Sequence, residues 1–408
     1  MKILAHTLQL LYPADTGSQI RSSQTFKHLS RLHDVTLVTF RRPEDTDEQV
    51  EQTRAACSRL ILIDKKETPK FTPKFYLELA ANMLSRYPYI LKKYYDPRMV
   101  RKIRELVEED DFDIFVCECL QPSLNVLSLP FRPKVLSQHN VESIIRKRHY
   151  QQCANPVAKA FLYLQWRKLF RYEKQAGETF DHCIMISDRD SSTMAEEYGV
   201  RTCTTVPIGV DVDFFRPGGP EGDANDVVFT GSMDWLPNED AVLYFAEKIM
   251  PLIRAEMPIK LWVVGRNPTR ALLRLKDTAP DIEVTGTVDD VRPYVDRAKV
   301  CIVPLRIGGG VRIKIFEAMA MNKAIVSTSI GAEGLPVTDG ENIILADEPE
   351  LFARKVIELL RNPPARRRLG DAARAMVAEH CSWEASARQF ADVCERIVEA
   401  HAKGLHQC

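Results

Sequence analysis

A chain of 408 residues is too long for one ordinary hydrophobic core, so its length predicts two domains of roughly 150 to 200 residues each. Its 56 basic side chains equal its 56 acidic ones, which argues against a protein that holds nucleic acid chiefly through net charge. The 10 cysteines include no Cys-x-x-Cys pair, so we expect no metal site and reduced thiols. The N-terminus begins with a strand-like segment, so we expect no secretory signal and a cytoplasmic protein.

The two halves of the chain begin with the same order of predicted elements. Residues 2–40 contain an apolar strand, a turn-rich loop, a helix and a second strand, and residues 226–265 repeat this order. Four such elements within about 40 residues form a right-handed parallel unit. We therefore predict an α/β protein with two Rossmann-like, doubly wound parallel-sheet domains.

Further apolar runs of strand length continue each half, as expected for strands that are buried on both faces. They cover residues 113–120, 134–139, 182–187 and 204–209, and then 282–286, 300–305 and 324–329. Residues 206–226 are rich in Gly, Pro and Asp and indicate a linker. We predict an N-terminal domain at 1–205 and a C-terminal domain at 206–382, with a last helix at about 383–408 that packs back on the first domain. Residues 65–111 are interpreted as an irregular helical insertion.

The segment GGGVRIKIFEAMA (residues 308–320) follows one of these strands and opens a helix. In open parallel sheets, ligands bind beyond the carboxyl ends of the strands, where helix N-termini favour anions. The glycines let a ligand approach the backbone, Arg312 and Lys314 can neutralise phosphate, and Glu317 can accept hydrogen bonds from ribose hydroxyls. The alternative is a glycine-rich turn with solvated charges.

Four segments carry a family resemblance. They are VPIGVDVDFFRP (206–217), VVFTGSMDWLPNEDAVLYF (227–245), the block from Val284 to Leu335, and CSWEASARQF (381–390). Together they cover most of residues 204–395, and they resemble the GT-B glycosyltransferases of the GT4-like retaining family, closest to sugar transferases of exopolysaccharide systems. The resemblance implies a nucleotide-diphosphate sugar as donor, bound in a central cleft that the two domains face. It also implies transfer to an acceptor hydroxyl with retention, without a metal ion or cofactor.

The resemblance assigns Glu317 to the second acid of the family's Glu-x7-Glu motif, which contacts the donor ribose. The first acid would fall at Gly309, so the contact to the transferred sugar is not carried over. The matched segments imply that the donor site is also lined by Gly231, Thr287, Val288, Gly309, Gly310 and Val311.

Besides Gly309, the sequence departs from the family pattern a second time, at the residues that bind the donor diphosphate. The Arg-x4-Lys pair of the family is expected after Gly231, but no cation follows between Ser232 and Asn238. We therefore predict that Arg312 and Lys314 neutralise the diphosphate, with Arg266 or Arg306 in support.

The first half matches the family more loosely. Gly17 precedes a helix where relatives place a loop over the diphosphate, although a plain turn explains it equally well. His139 and Asn140 end a predicted strand where the family keeps a histidine that faces the reacting sugar. A purely structural histidine is the alternative.

Several alternatives stay open. Residues 159–177 and 92–102 mix aromatic and basic side chains, which fits either peripheral contact with the inner membrane face and a lipid-linked acceptor, or a helix packed on the sheet. The acceptor is otherwise a sugar or small molecule, and we expect no nucleic-acid partner. A nucleotide-sugar epimerase of the same fold and a non-catalytic nucleotide-sugar-binding module are the alternative functions.

Overall fold

The computed structural model of the chain describes residues 1–153, 155–219, 221–222, 224–307 and 312–404. The chain divides into two compact units. The first comprises Met1–Pro207 together with the residues from Glu384 onward, and the second comprises Ile208–Trp383. Among the described residues, no helix combines the length and the apolar character needed to cross a bilayer.

The first unit contains a parallel sheet of seven strands within the described ranges, in the order β3-β2-β1-β4-β5-β6-β7. The strands are β1 (Lys2–His6), β2 (Asp34–Arg41), β3 (Arg59–Asp64), β4 (Ile114–Glu118), β5 (Lys134–Ser137), β6 (His182–Met185) and β7 (Cys203–Thr205). The helices are α1 (Gly17–Leu29), α2 (Asp47–Arg54), α3 (Pro73–Met83), α4 (Tyr89–Tyr94), α5 (Pro97–Glu109), α6 (Glu142–Gln152), α7 (Pro156–Thr179) and α8 (Asp188–Glu196). Residues 65–111, predicted as irregular and helical, thus hold three helices.

The second unit contains a parallel sheet of six strands in the described part of the chain, in the order β10-β9-β8-β11-β12-β13. The strands are β8 (Asp226–Thr230), β9 (Lys260–Val264), β10 (Ile282–Gly286), β11 (Val300–Val303), β12 (Ala324–Ser327) and β13 (Ile344–Leu345). The helices are α9 (Leu236–Tyr244), α10 (Met250–Arg254), α11 (Arg270–Thr278), α12 (Arg292–Arg297), α13 (Ile313–Ala320), α14 (Pro349–Arg361) and α15 (Pro363–His380). The prediction of two Rossmann-like parallel sheets is confirmed.

Alternating side chains of the first sheet build a core on each face. One core includes Leu4, Phe115, Leu136, Ile103 and Leu169. The other includes Ile3, Val35, Val116, Phe26 and Phe390. Phe390 belongs to the last helix, α16 (Trp383–Ala402), which therefore packs against the first sheet.

Because all strands of a sheet are parallel, their carboxyl ends lie at one edge. In the first unit this edge brings together the ends of β4 and β5 and the start of α1. In the second unit it brings together the ends of β8, β9 and β11 and the start of α13.

Candidate functional site

Two glycines shape the carboxyl edge of the second sheet. Gly231 follows β8 with a φ of +153°, and Gly265 follows β9 with a φ of +151°. These dihedrals favour glycine. A Cβ added to Gly265 would lie 1.7 Å from the backbone oxygen of Gly231. The ends of these neighbouring strands therefore meet through bare backbone, and only glycine fits at Gly265.

Lys314 reaches this edge from the first turn of α13. Its ammonium donates a hydrogen bond of 2.8 Å to Oδ1 of Asn238 and lies 3.9 Å from the centre of the Phe229 ring. A Cβ on Gly231 would lie 2.8 Å from the ammonium, so the cation and the bare backbone are neighbours. Asn238 is buried, and its amide also donates to the backbone oxygen of Ser232 (2.8 Å), which fixes the position of its oxygen. Asn238 was not among the predicted site residues.

The charges of Lys314 and Glu317 titrate close to neutral pH. Burial, reinforced by repulsion from Arg312, lowers the pKa of Lys314 to about 7, although Glu317 opposes the shift. Burial raises the pKa of Glu317 to about 7, and attraction to Lys314 compensates only in part. Shifted pKa values of this kind are concentrated at functional sites, where a bound ligand supplies the opposite charge or the hydrogen bonds that the buried groups lack.

The other predicted cations differ in their surroundings. Arg312 is buried and directly precedes α13, next to Lys314. Arg266 follows Gly265 at the end of β9, and its Nε donates to a serine hydroxyl after β8 (3.0 Å). Arg306 instead forms an ion pair with Asp240, with Nε 3.0 Å from Oδ2. The structure therefore groups Arg312 and Arg266 with the glycine edge and engages Arg306 with α9.

Of the remaining residues predicted to line the nucleotide-sugar site, the structure describes only some. Thr287 is exposed and Val288 is partly buried, in the loop after β10, two strands from β8. Gly309, Gly310 and Val311 lie outside the described residues.

A second group of polar side chains lies at the carboxyl edge of the first sheet. His139 follows β5, Glu118 ends β4 and Ser18 lies in the first turn of α1. The imidazole Nε2 is 2.6 Å from Glu118 Oε1, and Nδ1 is 2.8 Å from Ser18 Oγ. An ionised carboxylate only accepts hydrogen bonds, so Nε2 carries the proton, and in the neutral ring Nδ1 accepts from the Ser18 hydroxyl. The buried pair thus turns Nδ1 toward an exposed serine.

Glu118 is held ionised by its neighbours. Burial would raise its pKa, but attraction to His139 and Arg21 and the hydrogen bond from His139 outweigh burial and bring the pKa to about 2. Arg21 is buried on α1, where it donates to the backbone oxygen of Val206 (3.2 Å). Glu118 was not predicted as a site residue; its signal was a carboxylate in the interior of the predicted apolar strand 113–120.

Two further predicted residues lie at the same edge. Gly17 is the exposed first residue of α1, and Thr16 caps this helix by accepting a hydrogen bond from the backbone of Gln19 (3.3 Å). Asn140 is partly buried between His139 and the start of α6. Their contact with a ligand stays a prediction.

Both halves of the chain match family models of glycosyltransferases. Residues 17–214 match the family described as Glycosyltransferase Family 4, and residues 224–362 match Glycosyl transferases group 1. The chain belongs to the GT4-like glycosyltransferases of the GT-B fold.

Relatives of this glycosyltransferase differ in how much of it they cover. It is 23% identical over 376 residues to an uncharacterized 44.6 kDa protein in the cps region of Klebsiella pneumoniae, spanning 88% of this chain and 91% of that protein. It is 24% identical over 247 residues to the GDP-mannose-dependent monoacylated alpha-(1-6)-phosphatidylinositol monomannoside mannosyltransferase of Corynebacterium glutamicum, spanning 54% of this chain and 64% of that protein.

Solved structures share the fold of this glycosyltransferase over nearly its whole length. Sucrose-phosphate synthase from Thermosynechococcus elongatus aligns with a TM-score of 0.73 and 17% identity, covering 98% of this chain and 100% of that one. HepE from Anabaena, in complex with UDP and glucose, aligns with a TM-score of 0.66 and 13% identity, covering 97% and 100%. At sequence identities this low, the structural similarity establishes the fold alone.

Proposed function

We propose that this glycosyltransferase moves a sugar from a nucleotide-diphosphate sugar to an acceptor hydroxyl, with retention of configuration and without a metal ion. The observation that carries the proposal is the ammonium of Lys314 beside the bare backbone of Gly231 at the carboxyl edge of the second sheet. The solved complex of HepE with UDP and glucose and the GDP-mannose dependence of the mannosyltransferase relative support a donor of this class.

The donor diphosphate is proposed to bind at the carboxyl edge of the second sheet, where the bare backbone of Gly231 lies beside the Lys314 ammonium. Lys314 and Arg312 supply the positive charge that the missing Arg-x4-Lys pair provides in relatives. A bound diphosphate offsets the burial and repulsion that lower the pKa of Lys314 to about 7, and so keeps Lys314 protonated. The same two cations then stabilise the diphosphate as it departs, which is the main catalytic contribution that we assign to the second unit.

Glu317 is proposed to accept hydrogen bonds from the donor ribose. It lies one turn after Lys314 on α13, and the surroundings that raise its pKa to about 7 are those of a carboxyl group that gains from hydroxyl donors. The ribose hydroxyls would favour the ionised form and so bring this pKa down.

The proposed chemical step needs no protein base. The bond from the acceptor oxygen to the anomeric carbon forms on the face from which the bond to the phosphate oxygen breaks, and the acceptor proton passes to that phosphate oxygen. In the first unit, His139, held by Glu118, is proposed to contact the reacting sugar or the acceptor through Nδ1.

A panel of nucleotide sugars tests the function. Incubation with acceptor sugars should release the nucleoside diphosphate and give a glycosylated product whose anomeric coupling in NMR matches that of the donor. A chelator should leave the rate unchanged. Interconversion of the donor sugar would instead indicate an epimerase, and binding without turnover would indicate a non-catalytic module.

A further inference from the structure

Helix α3 is attached to the first unit through polar contacts. Asn82 is the buried residue of this helix, and its amide donates to the backbone oxygen of Tyr87 (3.0 Å). Gln165 of α7 donates to Asn82 Oδ1 (2.9 Å), and the Lys168 ammonium donates to the backbone oxygens of Asn82 (2.7 Å) and Met83 (3.1 Å) at the end of α3. Lys168 thereby satisfies carbonyl groups that a helix leaves unpaired at its C-terminus.

The opposite side of α3 is apolar and faces solvent. The side chains of this surface, which we call the α3 face, are Phe71 (78% exposed), Tyr76 (56%), Leu77 (71%), Met83 (45%) and Leu84 (95%). An ordinary surface helix buries its apolar side chains and exposes its polar ones. In α3 the most buried side chain is the polar Asn82, while Tyr76 and Leu77 are exposed, and clustered exposed apolar side chains of this kind mark interaction sites.

The exposed charged side chains beside the α3 face are basic. Lys70, Lys74 and Arg86 are exposed beside it. The nearby acid, Glu78, is partly buried and accepts hydrogen bonds from Thr68 (2.7 Å) and from the Tyr89 hydroxyl (2.9 Å). A partner for this surface must therefore offer both an apolar layer and negative charge.

We propose that the α3 face docks on an anionic lipid bilayer, with its apolar side chains inserted at the level of the acyl chains and its cations among the headgroups. Helices that lie in the plane of a membrane combine aromatic and leucine side chains with flanking lysine and arginine in this way. The α3 face contains none of the residues assigned to the donor site, and the proposal does not depend on the proposed transfer reaction.

Two other interpretations fit the observations less well. A second copy of the chain would bring the same cations into opposition. In addition, a helix face about 16 Å long and about 10 Å wide has an area on the order of 160 Å², far below the roughly 800 Å² per partner of a stable interface. The aromatic side chains of 159–177 offer a weaker membrane surface, because Tyr172 is buried and Phe170 packs against Tyr198 with ring centres 4.8 Å apart.

Vesicle co-sedimentation of the full chain, without donor, tests the proposal. The wild type should bind phosphatidylcholine vesicles that contain phosphatidylglycerol and bind pure phosphatidylcholine vesicles much less. Leu77→Ser with Leu84→Ser should weaken binding at least about tenfold, which corresponds to about 1.4 kcal/mol. The control is Leu252→Ser with Leu273→Ser, which changes two exposed leucines of the second unit (38% and 44%) and should bind as the wild type does.

Wild-type protein that stays in the supernatant with anionic vesicles would overturn the proposal, as would a Leu77/Leu84 variant that binds undiminished. If the same variant instead turned a dimer into a monomer in size-exclusion chromatography with light scattering, the face would belong to a second copy and the membrane assignment would be wrong. Circular dichroism melting confirms that each variant is folded. Because vesicle binding needs no catalysis, a negative result here leaves the proposed function to be judged by its own assay.

Discussion

Replacing Lys314 with Met removes the ammonium beside Gly231 and keeps an unbranched apolar stem. The ammonium lies 2.8 Å from the point where a Cβ of Gly231 would stand, so it is directly beside the backbone at which we propose that the diphosphate binds. A charge-assisted hydrogen bond contributes roughly 1.5 to 3 kcal/mol, which predicts a loss of nucleotide affinity of roughly 10- to 150-fold. Removing the buried ammonium stabilises the fold, and losing its hydrogen bond to Asn238 destabilises it. Because these two effects offset each other, we expect the melting temperature of Lys314→Met to differ little from that of the wild type.

Isothermal titration calorimetry with UDP and with GDP measures this effect. Lys260→Met is the matched control, because its ammonium also lies over an aromatic ring, 4.3 Å from the centre of Trp262, but at the first residue of β9 and thus at the opposite edge of the sheet. Unchanged affinity of Lys314→Met for both nucleotides would refute the assignment. An equal loss in Lys260→Met would show that the effect is not local.

Three further predictions address the two units separately. Gly265→Ala should lower the free energy of unfolding, measured in urea, by about 2 to 4 kcal/mol, because the new methyl group collides with the backbone of Gly231. The control Gly340→Ala, at φ +76° with open space around it, should lower the free energy of unfolding by about 1 kcal/mol. Equal losses in the two variants would contradict the close contact between the strand ends. Because burial raises the pKa of Glu317 from 4.5 to about 7, its contribution to stability is lost as pH rises through that interval. The melting temperature of the wild type relative to Glu317→Gln should therefore fall between about pH 4.5 and 7 and level off above that interval, and a constant difference would exclude the shift. Glu118→Gln should lower kcat at least about tenfold while leaving nucleotide affinity unchanged, because it acts on His139 in the first unit; unaltered turnover would make the pair purely structural.

The paired parallel sheets were predictable because buried strands carry continuous apolar runs. Segments 226–231 and 300–305, for example, became β8 and β11. The edge strands β3 and β13 were not predicted. β13 has two residues, too few for any periodic pattern, and β3 has half-buried side chains and runs into the charged segment that follows it.

The candidate site was predictable where a functional residue closely follows a strand, as His139 does, or opens the helix that comes after a strand, as Lys314 does. Its partners were not, because they come from elsewhere in the sequence. Glu118 meets His139 only since β4 and β5 are neighbours in the sheet, and Asn238 meets Lys314 across 76 residues. Such pairings depend on strand order and helix placement, which local patterns do not encode.

The central claim is that a diphosphate binds at the carboxyl edge of the second sheet. A crystal structure with UDP or GDP bound tests it most directly. The account predicts the diphosphate against the backbone of Gly231, within hydrogen-bond distance of the Lys314 ammonium, and the ribose beside Glu317. A nucleotide bound elsewhere, with Lys314 still donating only to Asn238, would contradict it.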